Sequence, residues 1–158
     1  MDRRLEEELG TVLRGKGRTL AIAESCTGGL VCDLITNEPR SSRYFLVGIV
    51  TYSNESKVDL LGVRPSTIDK HGAVSDETAR EMASGVRRVT GADIGASVTG
   101  IAGPGGGTPE KPVGLVYMAV DNGGSVTVER QVFPGSRIDV KRSAAERLVQ
   151  MILESESR

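Results

Sequence analysis

The chain has 158 residues, 38% of them hydrophobic, with a formal net charge of −1, one histidine and two cysteines. That length suits one domain, spanning residues 1–158, around one core. The charge balance leaves no basic field for nucleic acid, and no apolar run approaches the roughly 20 residues of a membrane span. A single histidine excludes a multi-histidine metal site within one chain. The charged start, Met1-Asp-Arg-Arg-Leu-Glu-Glu-Glu, is unlike a secretory signal. Cys26 and Cys32, without any extracellular cue, point to a reducing cytoplasm in which no disulfide is expected.

Leu5, Leu9, Val12 and Leu13 fall at i, i+4, i+7 and i+8, the spacing of an amphipathic helix that Gly15 and Gly17 close. Thr19 to Ala23 reads as a short buried strand. A turn, Glu24-Ser-Cys-Thr-Gly-Gly29, leads into a helix predicted from about Thr27 to Thr36. Glu38 to Arg43 reads as a loop and Tyr44 to Tyr52 as a strand. Glu55 to Leu61 gives a short helix closed by Gly62, and Pro65 to Lys70 another helical turn.

Ser75 has the character of an N-cap, with Asp76 and Glu77 in the first turn of a helix whose apolar stripe is Ala79, Met82, Ala83 and Val86. The run Ile94 to Val98 is a buried strand. Val113 to Val120 and Ser125 to Phe133 flank Asp121-Asn-Gly-Gly124, a hairpin turn. A last helix, about Ile138 to Glu154, buries Ala144, Ala145, Leu148, Met151 and Ile152. Helices alternating with strands, plus a late hairpin, imply a three-layer α/β/α sandwich with a mixed sheet.

Thr99-Gly-Ile-Ala-Gly-Pro-Gly-Gly-Gly-Thr108 stands out, because five of its ten residues are glycine. Glycine costs folding entropy, so such density calls for a reason, typically the approach of backbone N–H groups to an anionic or polar ligand. The stretch lacks the Gly-Lys-Ser/Thr ending of a P-loop, and Pro104, Pro109 and Pro112 oppose the helix that a dinucleotide turn requires. With Glu24–Gly29 and Arg40–Ser42 it makes three polar loops next to strands, where α/β proteins place ligands. No carboxylate pair of the glycosidase kind stands in them.

Six segments occur in order: Ala23-Glu-Ser-Cys-Thr-Gly-Gly29, Ser41-Ser-Arg-Tyr-Phe45, Val50-Thr-Tyr-Ser-Asn-Glu-Ser-Lys57, His71-Gly-Ala-Val-Ser75, Thr99-Gly-Ile-Ala-Gly-Pro104 and Glu110-Lys-Pro-Val-Gly114. Together they resemble the CinA C-terminal domain family, over roughly Leu5 to Met151. Stand-alone members of that family include nicotinamide mononucleotide deamidase, and many relatives carry a large N-terminal domain that is not expected here.

The resemblance implies a mostly parallel, mixed sheet of about five strands, a cytoplasmic homo-oligomer and a place in pyridine nucleotide salvage and NAD metabolism. It further implies a serine amidohydrolase that converts nicotinamide mononucleotide and water to nicotinate mononucleotide and ammonia, with no metal or organic cofactor. Carried over by motif, Ser42 is the expected nucleophile, Lys57 its general base and Tyr52 an aid to proton transfer or to placing the lysine. Ser25, Thr27, Gly28, Gly29, Thr99, Gly100, Gly103 and Arg137 are expected to bind substrate. Two positions depart from the family pattern: Arg40 stands where glycine is frequent before the Ser-Ser pair, and Lys141 where arginine is frequent, so the phosphate grip is less well defined than the chemistry.

A serine hydroxyl needs a neighbouring base, and a lysine serves only if burial or a nearby cation lowers its pKa from about 10.4. Cys26, just before a helix start, competes as nucleophile. His71 is the one residue available to a serine–histidine mechanism, but no serine–acid partnership accompanies it. The alternative from another class is a non-catalytic nucleotide-sensing or protein-binding module of the competence/damage type, which would not need Ser42, Tyr52 and Lys57 together.

Overall fold

The computed structural model describes residues 4–158; Met1 to Arg3, part of the charged start, lie outside the described residues. Helix α1 (Leu5–Lys16) buries Leu9 and Leu13 and stops at Gly17, whose φ of 64° belongs to the left-handed region that glycine adopts without strain. Strand β1 (Leu20–Glu24) is buried at all five positions. It is followed by a tight turn rather than directly by a helix. Gly28 and Gly29 have φ of 60° and 107°, values incompatible with a right-handed helix. Helix α2 (Leu30–Thr36) therefore starts three residues later than Thr27, where the sequence pattern places it.

One 3-10 turn, Ser41–Arg43, precedes β2 (Phe45–Val50). Helix α3 (Asn54–Leu61) is capped by the Ser53 hydroxyl, α4 (Pro65–His71) opens on proline, and α5 (Asp76–Thr90) is capped by Ser75 as the pattern predicts. Strands β3 (Ile94–Gly100), β4 (Leu115–Asp121) and β5 (Val126–Val132) follow, and α6 (Arg137–Glu156) opens on a capping box between Ser136 and Asp139.

The five strands form one sheet in the order β2-β1-β3-β4-β5. β1 pairs parallel with β2 and β3, and the β3–β4 and β4–β5 pairings are antiparallel. Only β4 runs against the others, so the sheet is mixed with a parallel core. Helices α1, α2 and α6 cover one face over the larger apolar cluster, which includes Leu9, Ile22, Ile35, Val98, Met118 and Leu148. The other face is covered by α5 with α3 and α4, over Ala21, Ala23, Leu61, Met82 and Val86. This is the α/β/α sandwich expected from the sequence.

Register determines where the polar loops meet. Glu24, the last residue of β1, lies opposite Val50 of β2 and Val98 of β3. The next residues along each strand direction, Ser25, Thr51 with Tyr52, and Thr99 near the end of β3, therefore lie side by side at the carboxyl edge of the parallel core. At the other end, Leu20 lies opposite Phe45, which puts the Ser41–Arg43 turn beside the beginning of β1.

Candidate active site

A cleft of about 280 Å³ opens at the carboxyl edge. Its walls include Ser25, Tyr52, Asn54, Lys57, Thr99 and Arg137, with the Ala73–Val74 segment and the glycine-rich loop from Gly100 to Gly106 closing it. This is where open α/β sheets bind ligands.

Lys57 is the unusual residue. It lies in the first turn of α3 and is 1% exposed. Its Nζ donates to Ser25 Oγ at 3.0 Å, to the Thr51 carbonyl at 2.7 Å and to the Tyr52 carbonyl at 3.4 Å. Burial pushes its pKa below the ordinary lysine value, and among the described residues no carboxylate forms an ion pair with it to restore the charge. As a neutral amine, Lys57 would keep two donors for the two carbonyls and turn its lone pair to the Ser25 hydroxyl. That is the arrangement a serine needs to lose its proton.

The structure does not bring Ser42, the expected nucleophile, to Lys57. Ser42 sits in the exposed 3-10 turn before β2, whereas Lys57 follows β2, so the six residues Phe45–Val50, roughly 20 Å of strand, lie between them. Ser42 does not line the cleft, and Lys57 reaches Ser25 instead. Two serines stood in family-like motifs, and only the register of β1 against β2 discriminates between them.

Of the residues expected to bind substrate, Ser25, Thr99, Gly100, Gly103 and Arg137 line the cleft. Thr99 is 1% exposed and donates to the Ala73 carbonyl, which holds the Ala73–Val74 wall in place. Arg137 spans the mouth, donating to the Gly103 carbonyl at 2.6 Å and to the Tyr52 hydroxyl at 3.1 Å. The Tyr52 phenol is thus directed to Arg137, while its carbonyl holds Lys57; positioning, not a phenol relay, is the contact it makes.

Thr27, Gly28 and Gly29 do not line the cleft. Thr27 is buried and its hydroxyl donates to Glu24 at 2.5 Å. The two glycines shape the turn through their positive φ. Asn54 and Ala73–Val74 also line the cleft without having been expected as site residues, and Gly105–Gly106 belong to the glycine-rich stretch expected to approach a ligand. Asn54 and Ala73–Val74 both had a signal, since Asn54 stands inside the Val50–Lys57 segment and Ala73–Val74 inside the His71–Ser75 segment.

Cys26 lines the cleft but is a poor nucleophile: burial, with the Glu24 carboxylate adding to it, pushes its thiol up to about 12. Cys26 and Cys32 are both free thiols. His71 lies 3.7 Å from Glu77 and its carbonyl accepts from Lys111 Nζ at 2.6 Å, a strut between α4 and the glycine-rich excursion. Among the described residues, no group of three histidine, cysteine, aspartate or glutamate side chains could hold a metal ion, and no helix is long and apolar enough to cross a membrane.

Fold and cleft together define a three-layer α/β domain with a buried serine–lysine pair at the carboxyl edge of its sheet. A family model described as the CinA C-terminal domain matches residues 2–155, and the chain belongs to that family. A putative competence-damage inducible protein of Moorella thermoacetica is 51% identical over 154 residues, 98% of this chain and 37% of the relative. A CinA-like protein of Desulforapulum autotrophicum is 55% identical over 129 residues, 82% of this chain and 30% of the relative. The chain thus spans about a third of the length of these curated relatives. Among solved structures, a competence damage-inducible protein A from Klebsiella pneumoniae superimposes with a TM-score of 0.94 at 34% identity, covering 98% of this chain and 96% of that one. A competence/damage inducible protein from Agrobacterium tumefaciens gives 0.92 at 35% identity, with all of both chains covered.

Proposed function

We propose that this domain is a serine amidohydrolase with Ser25 as nucleophile and Lys57 as general base, acting on the carboxamide of nicotinamide mononucleotide. The observation that carries the reading is the 3.0 Å contact between Ser25 Oγ and a buried lysine whose pKa is depressed. In the first half-reaction Lys57 takes the Ser25 proton as Oγ bonds to the carboxamide carbon. The tetrahedral adduct then expels ammonia, which leaves with the proton that Lys57 returns. In the second, water attacks the acyl ester, Lys57 accepts its proton and gives it back to Ser25, and nicotinate mononucleotide departs.

The glycine-rich loop suits the anionic parts of such a substrate. The N–H groups of Ala102, Gly103, Gly105 and Gly106 have no backbone acceptor among the described residues, and they border the same cleft as Arg137. Preorganised donors of this kind favour a developing oxyanion or a phosphate. No metal or organic cofactor enters the scheme. A homo-oligomer in the cytoplasm belongs to the same proposal, and sedimentation of the purified chain tests the assembly.

The test is to incubate the protein with nicotinamide mononucleotide and measure ammonia together with nicotinate mononucleotide. Turnover that Ser25→Ala abolishes supports the reading. Absence of turnover overturns it and favours the nucleotide-sensing or protein-binding module suggested by the relatives' competence-damage names.

A further inference from the structure

We propose that Glu24 is a positioning residue that holds Ser25 and Lys57 at hydrogen-bond distance; this rests on the reading of those two residues as nucleophile and base. Glu24 is 0% exposed and directly precedes Ser25. Among the described residues, no ion pair includes it. Burying a carboxylate away from any cation is costly unless its oxygens are fully hydrogen-bonded, so its retention at the end of the central strand calls for a reason.

Its side chain ties together the whole turn that carries the nucleophile. Oε1 accepts from the Thr27 hydroxyl at 2.5 Å, the Gly29 N–H at 3.1 Å and the Val31 N–H at 3.0 Å, and Oε2 accepts from the Cys32 N–H at 3.0 Å. Four donors from Thr27 to Cys32 converge on one carboxylate, and Ser25 and Cys26 are the short span between it and them. The backbone of Glu24 fixes the other half of the pair. Its carbonyl accepts from Thr51 N–H at 2.8 Å and from the Thr51 hydroxyl at 3.4 Å, and Thr51 presents the carbonyl that receives Lys57 Nζ at 2.7 Å. One residue thus anchors the nucleophile through its side chain and the base through its main chain.

The donor pattern also separates glutamate from its analogues. Glutamine keeps one oxygen for the three donors at Oε1 but sets its own N–H groups against the Cys32 N–H. Aspartate is one methylene short of the turn. Neither reproduces the full set of contacts.

The experiment compares Glu24→Gln with the unmodified protein in two readouts. Turnover of nicotinamide mononucleotide should fall about tenfold or more in kcat with KM within roughly twofold, since the loss is of transition-state geometry and not of the pocket. A crystal structure of the variant should show the Lys57 Nζ–Ser25 Oγ separation beyond hydrogen-bond reach. Glu24→Asp should not restore kcat. The proposal is overturned if Glu24→Gln keeps the kcat of the unmodified protein, or keeps the serine–lysine contact in the crystal. If the unmodified protein releases no ammonia, the amidase reading fails separately, and the crystal distance still decides the role of Glu24.

Discussion

In the proposed amidase Ser25 and Lys57 carry the chemistry, and the less exposed of the two, Lys57, sets its pH dependence. Burial lowers the Lys57 pKa, so the neutral, active base is present at lower pH than for a free lysine. The rate should therefore rise with pH through an acidic limb lying below about 10.4, the ordinary lysine value, and level off above it; a limb at or above that value contradicts the assignment. The same shift has a stability consequence whose sign is fixed. In the unfolded chain Lys57 stays protonated up to about 10.4, while the fold prefers it neutral, so at lower pH the fold carries the cost of discharging or burying the cation. Lys57→Met removes that cost. Thermal unfolding near neutral pH should show the variant at least as stable as the parent, the gap closing as pH approaches the free-lysine value, while turnover is lost. Arg137→Ala should act differently: it releases the Gly103 carbonyl and the Tyr52 hydroxyl at the mouth. KM should rise about tenfold or more with a smaller change in kcat, measured by steady-state kinetics.

At the scale of the elements, the site depends on α3 being held close to α5. Gly85 of α5 lies where a Cβ would meet the Leu61 carbonyl at the end of α3, a backbone atom that cannot swing away. Gly85→Ala should therefore displace α3, the helix that carries Lys57. The expected cost is about 1–3 kcal/mol in urea unfolding, with a loss of activity larger than the fraction unfolded explains. Activity and stability both unchanged would show that α3 is free to shift without disturbing the pair. The α2 terminus shows why element boundaries were hard to read. Glu24 to Thr36 has helix-compatible residues from Thr27 on, but Gly28 and Gly29 adopt positive φ, and the N–H groups at the start of α2 bond to the Glu24 side chain. That side-chain cap comes from five to eight residues upstream, beyond the reach of a local capping pattern.

Across the whole molecule, the sandwich and its mixed sheet were legible because period and punctuation agree nearly everywhere. Leu9 and Leu13, the buried run Ile94–Val98, the Ser75 cap and the hairpin at Asp121–Gly124 each have one local interpretation. The site was half legible. Lys57 and Thr99 stand in motifs that survive translation into the fold, Arg137 was expected from the resemblance alone and lines the cleft, and the glycine-rich stretch forms a cleft wall without any helix. The partner of Lys57 was not legible, because Ser25 and Ser42 are chemically equivalent in sequence and only the pairing of Glu24 with Val50 and Val98 brings one of them to Lys57. Strand register is a property of the sheet, and it leaves no mark on the local pattern around either serine.

The measurement that tests this account most directly sets the two serines against each other. Ammonia release from nicotinamide mononucleotide is followed for the parent, Ser25→Ala and Ser42→Ala, with circular dichroism confirming that all three are folded. The account predicts loss of about a thousandfold or more in kcat for Ser25→Ala and parental kinetics for Ser42→Ala. Retained turnover in Ser25→Ala, or its loss in a folded Ser42→Ala, would contradict it.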